Sequence, residues 1–358
     1  MTNDLTYDQR MARICSSLSR AGYEVTLVGR KMRASVPLTQ KPYRQKRLPC
    51  FFHKGVGFYA EYNIRLFLYL LFQNCHVICA IDLDTIIPCL AVSRLKNIRR
   101  VYDAHELFCE MKEIVSRPRV YRIWKFIERS TVPAFKLGYT VNSMIAAEFF
   151  LLYKVDYKVI SNMPINFDLI IPAKSEKYIL YQGAVNEGRC FETLIPAMKN
   201  VDARLIICGD GNFMQKAKDL CIQHRMENKI VFTGNILPEA LRTYTLNAYI
   251  GVTLFDNVGL SNYYSLANRF FDYMHSGIPQ VCVDYPVYRE IVNKYPFAVM
   301  IADTSAESIS SALNNLLHNE DLYKELQQYC IRAKQILNWE QEEKKLLSFY
   351  SHIAASIE

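Results

Sequence analysis

Short apolar runs recur along the chain, each separated from the next by a longer stretch in which apolar positions return every three or four residues. Runs of the first kind read as buried strands and stretches of the second as amphipathic helices. Their alternation is the pattern of parallel sheets covered on both faces. In the first half, strands are predicted at Tyr23–Val28, His76–Ile81, Ile98–Tyr102, Gly138–Val141 and Tyr157–Ile160. In the second half they are predicted at Tyr178–Gln182, Arg204–Cys208, Ile230–Thr233, Ala248–Leu254, Pro279–Asp284 and Ala298–Ile301. Helices fall between them, among them Tyr7–Arg20, Asn212–His224 and a last one over Trp339–Ile357. A doubly wound domain normally opens with a buried strand. Here the first helix follows Met1 almost at once, so the first strand reads as missing or truncated.

The segment Met163–Lys177 carries Pro164 and Pro172 among mixed polar residues without periodicity, which marks an interdomain linker. The expected fold class is therefore α/β, with two doubly wound Rossmann-like domains facing a cleft. The first domain covers 1–165 and the second 166–336, while 337–358 forms a closing helix expected to pack back on the first. A length of 358 residues suits two domains, each with its own core.

An apolar content of 51% with 22% charged residues is that of a soluble globular enzyme. The most apolar stretch, Ile64–Ala80, is broken by Arg65, Gln73, Asn74 and His76, so no membrane crossing is expected. Met1 is followed by Thr-Asn-Asp-Leu-Thr rather than by a basic and then apolar leader, so the expected location is the cytoplasm. The 11 cysteines contain no Cys-x-x-Cys pair, and several sit in strand-like runs. They read as buried reduced thiols, not as a zinc site or a disulfide framework.

Charge is unevenly spread, since residues 1–170 hold 25 Lys and Arg against 14 Asp and Glu, within a whole-chain net charge of +8. Between Arg30 and Ala60 there is no acid at all. Arg30, Lys31, Arg33, Lys41, Arg44, Lys46, Arg47 and Lys54 gather there around Phe51, Phe52, Phe58 and Tyr59. Such a segment fits an anionic lipid surface, the alternative being a merely solvated loop. No nucleic-acid motif accompanies it.

The most informative stretch is Tyr264–Gly277. Its helix is predicted from about Asn268 and stops at Gly277, with Pro279 beyond. Phe270, Phe271 and Met274 form a buried stripe, which leaves Arg269 and Asp272 together on another side. A helix N-terminus attracts phosphate, Arg269 adds a bidentate grip and Asp272 can accept from ribose hydroxyls. The competing reading is a core helix with a solvated Arg and Asp. Other pieces point the same way. Gly183 ends one strand and is followed by Glu187-Gly188-Arg189. Gly209-Asp210-Gly211 closes the next strand and Gly234 the one after. Ligands of open parallel sheets bind at that carboxyl edge, where glycine lets a backbone come close. Met214 stands where a dinucleotide motif would place its third glycine, which disfavours hydride transfer.

In order and spacing these pieces resemble the second domain of glycosyltransferase family 4, retaining enzymes of the glycosyltransferase-B (GT-B) fold. The resemblance extends over most of the chain, with Asp103-Ala104-His105-Glu106 and Asn3–Arg10 matching positions that such enzymes turn toward the cleft. It implies a hexosyltransferase taking a nucleotide diphosphate sugar, with a uridine donor preferred and a guanosine donor possible. The implied acceptor is a lipid-linked or cell-surface glycan, as in polysaccharide biosynthesis at the inner face of a membrane. The implied catalytic residues are His105, Arg189 and Asp272. Donor contacts fall on Gly183, Arg189, Gly209, Gly211, Tyr264, Ser265, Asn268, Arg269 and Asp272. Acceptor-side positions fall on Asp8, Arg10, Asp84, His105 and Glu106. The sequence departs from the family at two places: its basic pair falls on Ala184 and Arg189, and its two glutamates fall on Tyr264 and Asp272. Arg269 is the candidate substitute cation.

Asp82-Leu83-Asp84 matches an Asp-x-Asp metal motif in letters. Placed between a strand and a helix starting near Thr85, it reads instead as a helix cap or an acceptor-side carboxylate, so neither metal nor cofactor is expected. Two readings compete with transfer: a nucleotide-sugar epimerase of the same fold, and a catalytically silent partner that binds nucleotide or membrane.

Overall fold

A computed structural model of the chain describes all residues except 7, 34, 173–175 and 357–358. Tyr7 and Ile357, the predicted outer ends of the first and last helices, lie outside the described residues, as does part of the predicted linker. The chain divides into two compact units, one comprising 1–109, 114–162 and 341–358, the other 110–113 and 163–340.

In the first unit β1 (Thr26–Lys31) pairs in parallel with β2 (Arg44–Pro49). A second parallel sheet holds β3 (Val77–Ile81), β4 (Arg99–Ala104), β5 (Leu137–Thr140) and β6 (Lys158–Val159) in that order. No strand precedes β1 among the described residues. Residues 1–3 run along β1 instead, with the Met1 ammonium donating to Val28 O at 3.0 Å and Asn3 O accepting from Arg30 N at 3.1 Å. β2 falls inside the acid-free basic segment, which thus holds a strand and the start of a helix between irregular stretches. Arg44, Lys46 and Arg47 share this edge strand, in which only Leu48 is buried, so neither an apolar run nor alternation announces it. The helix Gln9–Arg20 is capped by Asp8, whose Oδ1 accepts from Met11 N at 2.8 Å. Within this unit the last helix (Trp339–Ala355) is tied by Glu342, which accepts from Ser161 N at 2.8 Å, and by the Tyr350 ring against Tyr139.

The second unit is one six-stranded parallel sheet, β7 (Tyr178–Gln182), β8 (Arg204–Cys208), β9 (Ile230–Gly234), β10 (Ile250–Thr253), β11 (Gln280–Val283) and β12 (Ala298–Ile301). The spatial order is β12-β11-β10-β7-β8-β9, so the chain reverses direction across the sheet between β7 and β10. Every residue of β7, β10 and β11 is buried, as expected where helices cover both faces. All 11 cysteines are free thiols, and eight of them are buried. Among the described residues no helix is long and apolar enough to cross a membrane.

Candidate active site

In parallel sheets the chemistry gathers where strands end, and β7 ends on Gln182 and Gly183. Gln182 Oε1 accepts from the Thr245 hydroxyl at 2.8 Å, while its Nε2 donates to Asp272 at 2.9 Å. Next to it, Arg269 Nη1 lies 3.4 Å from where a Cβ on Gly183 would stand. The helix Asn268–His275 therefore presents both of its predicted polar residues to consecutive residues of one strand end. Phe270, Phe271 and Met274 are buried as the pattern predicts, and Gly277 ends the helix at φ 67°. Tyr273, which the pattern did not single out, ties the helix to β7 by donating to Leu180 O at 2.8 Å and accepting from Gln182 N at 3.2 Å.

Arg269 is only 7% exposed, and its Nε has no hydrogen-bond partner. Its guanidinium sits 4.6 Å from the Tyr181 ring centre and 4.9 Å from that of Phe255. Arg189 reaches the same Phe255 ring at 4.4 Å. Two guanidinium groups thus flank one aromatic ring beside Gly183, where cation–π attraction offsets part of their mutual repulsion. Arg189 Nη1 is oriented by Asn262 Oδ1 at 2.9 Å. Asn262 in turn donates to Asp256 at 2.9 Å, and Asp256 meets Lys112 at 2.5 Å. Phe255 and Asp256 lie in a non-periodic loop, Asn262 in a single-turn helix after it and Lys112 in a distant segment, so no spacing in the sequence announced them. Tyr264 follows the short helix Leu260–Tyr263, half-buried beside the Tyr263 ring. Ser265 N donates to Asn262 O at 3.2 Å, and Asn268 is exposed at the head of the helix.

Gly209 and Gly211 stand at the same edge, but their need for glycine comes from the protein itself. At φ 152°, a Cβ on Gly209 would lie 1.8 Å from Gly183 O, and one on Gly211 2.4 Å from Val185 O. The β8 turn is packed directly under the 183–185 backbone, which Gly183 N→Cys208 O (2.9 Å) and Val185 N→Asp210 O (3.0 Å) lock in place. Their close approach is to this loop, whereas the reading from sequence gave it to the donor.

In the first unit the carboxyl ends of β3 and β4 hold a charged cluster. His105 Nδ1 faces Asp82 at 3.3 Å and Nε2 faces Asp103 at 3.2 Å, while its backbone N donates to Asp82 at 3.0 Å. Asp103 is buried and takes Arg10 Nη2 at 2.9 Å. Burial disfavours the imidazolium, but the two carboxylates outweigh it and push His105 up to about 9. Burial likewise opposes the Asp103 carboxylate, yet Arg10 and His105 hold it down to about 2. Burial and the neighbouring Asp82 push Asp84 up to about 6. Asp82 itself adopts φ 55°, a left-handed conformation that costs a non-glycine residue about 1 kcal/mol or more.

Two expectations change here. Arg10 is buried and turns inward to Asp103 and to Ile160 O, while Asp8, half-exposed, caps the helix. Neither Asp82 nor Asp84 caps the following helix: Asp82 accepts from His105, and Asp84 accepts from Thr2. Both ring nitrogens of His105 face carboxylates, so a sugar hydroxyl would meet this cluster through carboxylate oxygens. Glu106 follows directly, half-buried. Among the described residues no group of three or more His, Cys, Asp or Glu side chains is arranged to hold a metal.

Whole-chain comparison shows the fold, which is that of GT-B glycosyltransferases. The structure is similar to sucrose-phosphate synthase from Thermosynechococcus elongatus (TM-score 0.81, 16% identity, covering 96% of this chain and 92% of that one). It is also similar to WaaG, a glycosyltransferase involved in lipopolysaccharide biosynthesis (TM-score 0.73, 15% identity, 94% of each chain). A third likeness is to HepE from Anabaena in complex with UDP and glucose (TM-score 0.73, 11% identity, 98% of each chain). Residues 166–335 match the family model for glycosyl transferases group 1, which makes the second unit a glycosyltransferase domain. No curated protein matches the sequence.

Proposed function

We propose that the chain transfers a hexose, with retention of configuration, from a uridine diphosphate sugar to a lipid-linked or cell-surface glycan at an anionic membrane face. The observation that carries this reading is the pair Arg189 and Arg269 around Phe255 at the end of β7. As the glycosidic bond breaks, negative charge grows on the departing diphosphate. Guanidinium groups already in place stabilise it without reorganisation. On this reading Arg269 supplies the cation that Ala184 does not, and Asp272, which accepts from Gln182 Nε2, also accepts from donor hydroxyls. A front-face mechanism needs no nucleophile from the enzyme. HepE, described with UDP-glucose, supports the donor class. Its guanosine counterpart remains the second choice.

The acceptor and membrane parts rest on the first unit. The helix Gly55–Leu71 exposes Val56, Ala60, Ile64 and Leu68 at four-residue spacing, and Phe72 continues the stripe. Phe51 and Phe52 project beside it, their N–H groups held by Glu61. Lys31, Arg33, Lys46 and Lys54 remain exposed nearby in sequence. Arg30 and Arg47 are consumed internally, by the Phe58 ring and by Asp4.

The test is thermal shift with a panel of nucleotide sugars, followed by turnover of whichever binds. A uridine diphosphate sugar should raise the melting temperature of the wild type. Arg269→Gln should lower kcat/KM for transfer by roughly 10²-fold or more. If no nucleotide sugar shifts the melting temperature, the reading fails. Epimerised free nucleotide sugar formed without acceptor would assign the epimerase instead, and binding without any turnover would assign a silent partner.

A further inference from the structure

A cavity of about 1320 Å³ lies wholly within the first unit and at the opposite edge of its sheet from His105. It opens at the amino ends of β3 to β6 and is closed on one side by the last helix, through Lys345, Phe349, His352 and Ile353. Arg99 and Ala104 bound β4, so the two edges stand about 17 Å apart along that strand at the usual rise per residue. Five permanent cations line the cavity: Arg99, Arg100, Lys136, Lys158 and Lys345. Among the described residues Asp156 is the one acid lining it. That acid is spent on Lys158 at 3.1 Å, and Lys345 meets Glu342 at 2.7 Å. Arg99 donates to Ser356 O at 3.0 Å. Burial and the nearby Arg94 both work against the Arg100 guanidinium.

We infer that this cavity binds a ligand carrying two or more phosphate groups, seated between Arg99, Arg100 and Lys136. A volume of 1320 Å³ exceeds what one phosphate fills and leaves room for an organic body against Ile98, Leu137, Phe349 and Ile353. Guanidinium forks suit phosphate oxygens, and the surplus of cations favours a polyanion over a singly charged acid. The site is independent of the proposed reaction, because it shares no residue with either strand-end cluster. The polyphosphate could be free in solution or carried on a lipid, and the two are separable by experiment.

Inorganic tripolyphosphate is the soluble probe, titrated calorimetrically into the full chain bearing Arg189→Ala to weaken phosphate binding in the second unit. One binding event should persist there. It should weaken about tenfold or more when Arg100→Gln and Lys136→Gln are added. Lys136→Gln alone, at an exposed position, should weaken it in the same direction without moving the melting temperature. Vesicles containing cardiolipin, set against phosphatidylcholine vesicles, form the second arm. If tripolyphosphate does not bind but cardiolipin vesicles do, and the double variant releases them, the ligand is the lipid-borne form. If the double variant changes neither tripolyphosphate nor vesicle binding, the inference is overturned.

Discussion

At the scale of single residues, the sequence singles out candidate side chains by local signals and says little of what holds them. Arg189, Arg269 and Asp272 were legible because helical spacing and strand-end glycines are local signals. Their supports were not, since Asn262 lies 73 positions from Arg189, and Gln182 lies 90 from Asp272. His105 shows the same limit more sharply. The sequence marks it as a strand-end histidine, but only the fold brings Asp82 and Asp103 to its two nitrogens. The consequence is measurable. Because its folded value is raised from 6.5 to about 9, the charged ring contributes stability that is complete below 6.5 and lost as pH rises through 9. The contribution is at most about 3 kcal/mol. Urea denaturation across pH 6 to 10 should therefore show a falling alkaline limb in the wild type that His105→Gln flattens. Asp103 acts at the other end, its contribution present above its ordinary 3.8 and lost as pH falls through about 2.

At the scale of elements, strands buried on both faces were legible as apolar runs closed by glycine. β7, β8 and β12 occupy the predicted spans, while β10 and β11 are trimmed by one or two residues at each end. β1 is displaced toward Lys31, and β2 went unread, because an edge strand with one buried residue is made by main-chain pairing that leaves no side-chain pattern. The strand-end turns are the elements most sensitive to change. Gly209→Ala would drive a methyl into Gly183 O, displacing the loop that carries the candidate donor contacts. A loss of about 2 kcal/mol or more is expected, read as a lower denaturation midpoint. Unchanged stability in that variant would show that the two turns are not interlocked.

At the scale of the whole molecule, composition already separated the two halves by charge, the first strongly basic and the remainder slightly acidic. What composition could not show is how much of that basic charge is used internally, as with Arg30 and Arg47, or that an apolar helix stripe accompanies the rest. Flotation should therefore show binding to vesicles rich in phosphatidylglycerol, weaker binding to neutral ones, and a decline with salt. Ile64→Glu with Leu68→Glu should abolish it while leaving soluble-acceptor activity in place. Equal partition to both vesicle types would remove the electrostatic basis for a membrane-bound enzyme. The twin guanidinium groups around Phe255 carry a further implication for turnover. Once the sugar has left, the bare nucleoside diphosphate bears more negative charge than the donor did, and the same two groups grip it harder. On the proposed chemistry, escape of spent nucleotide would then set the pace of each cycle, and the free diphosphate would be a stronger inhibitor than its sugar ester is a ligand.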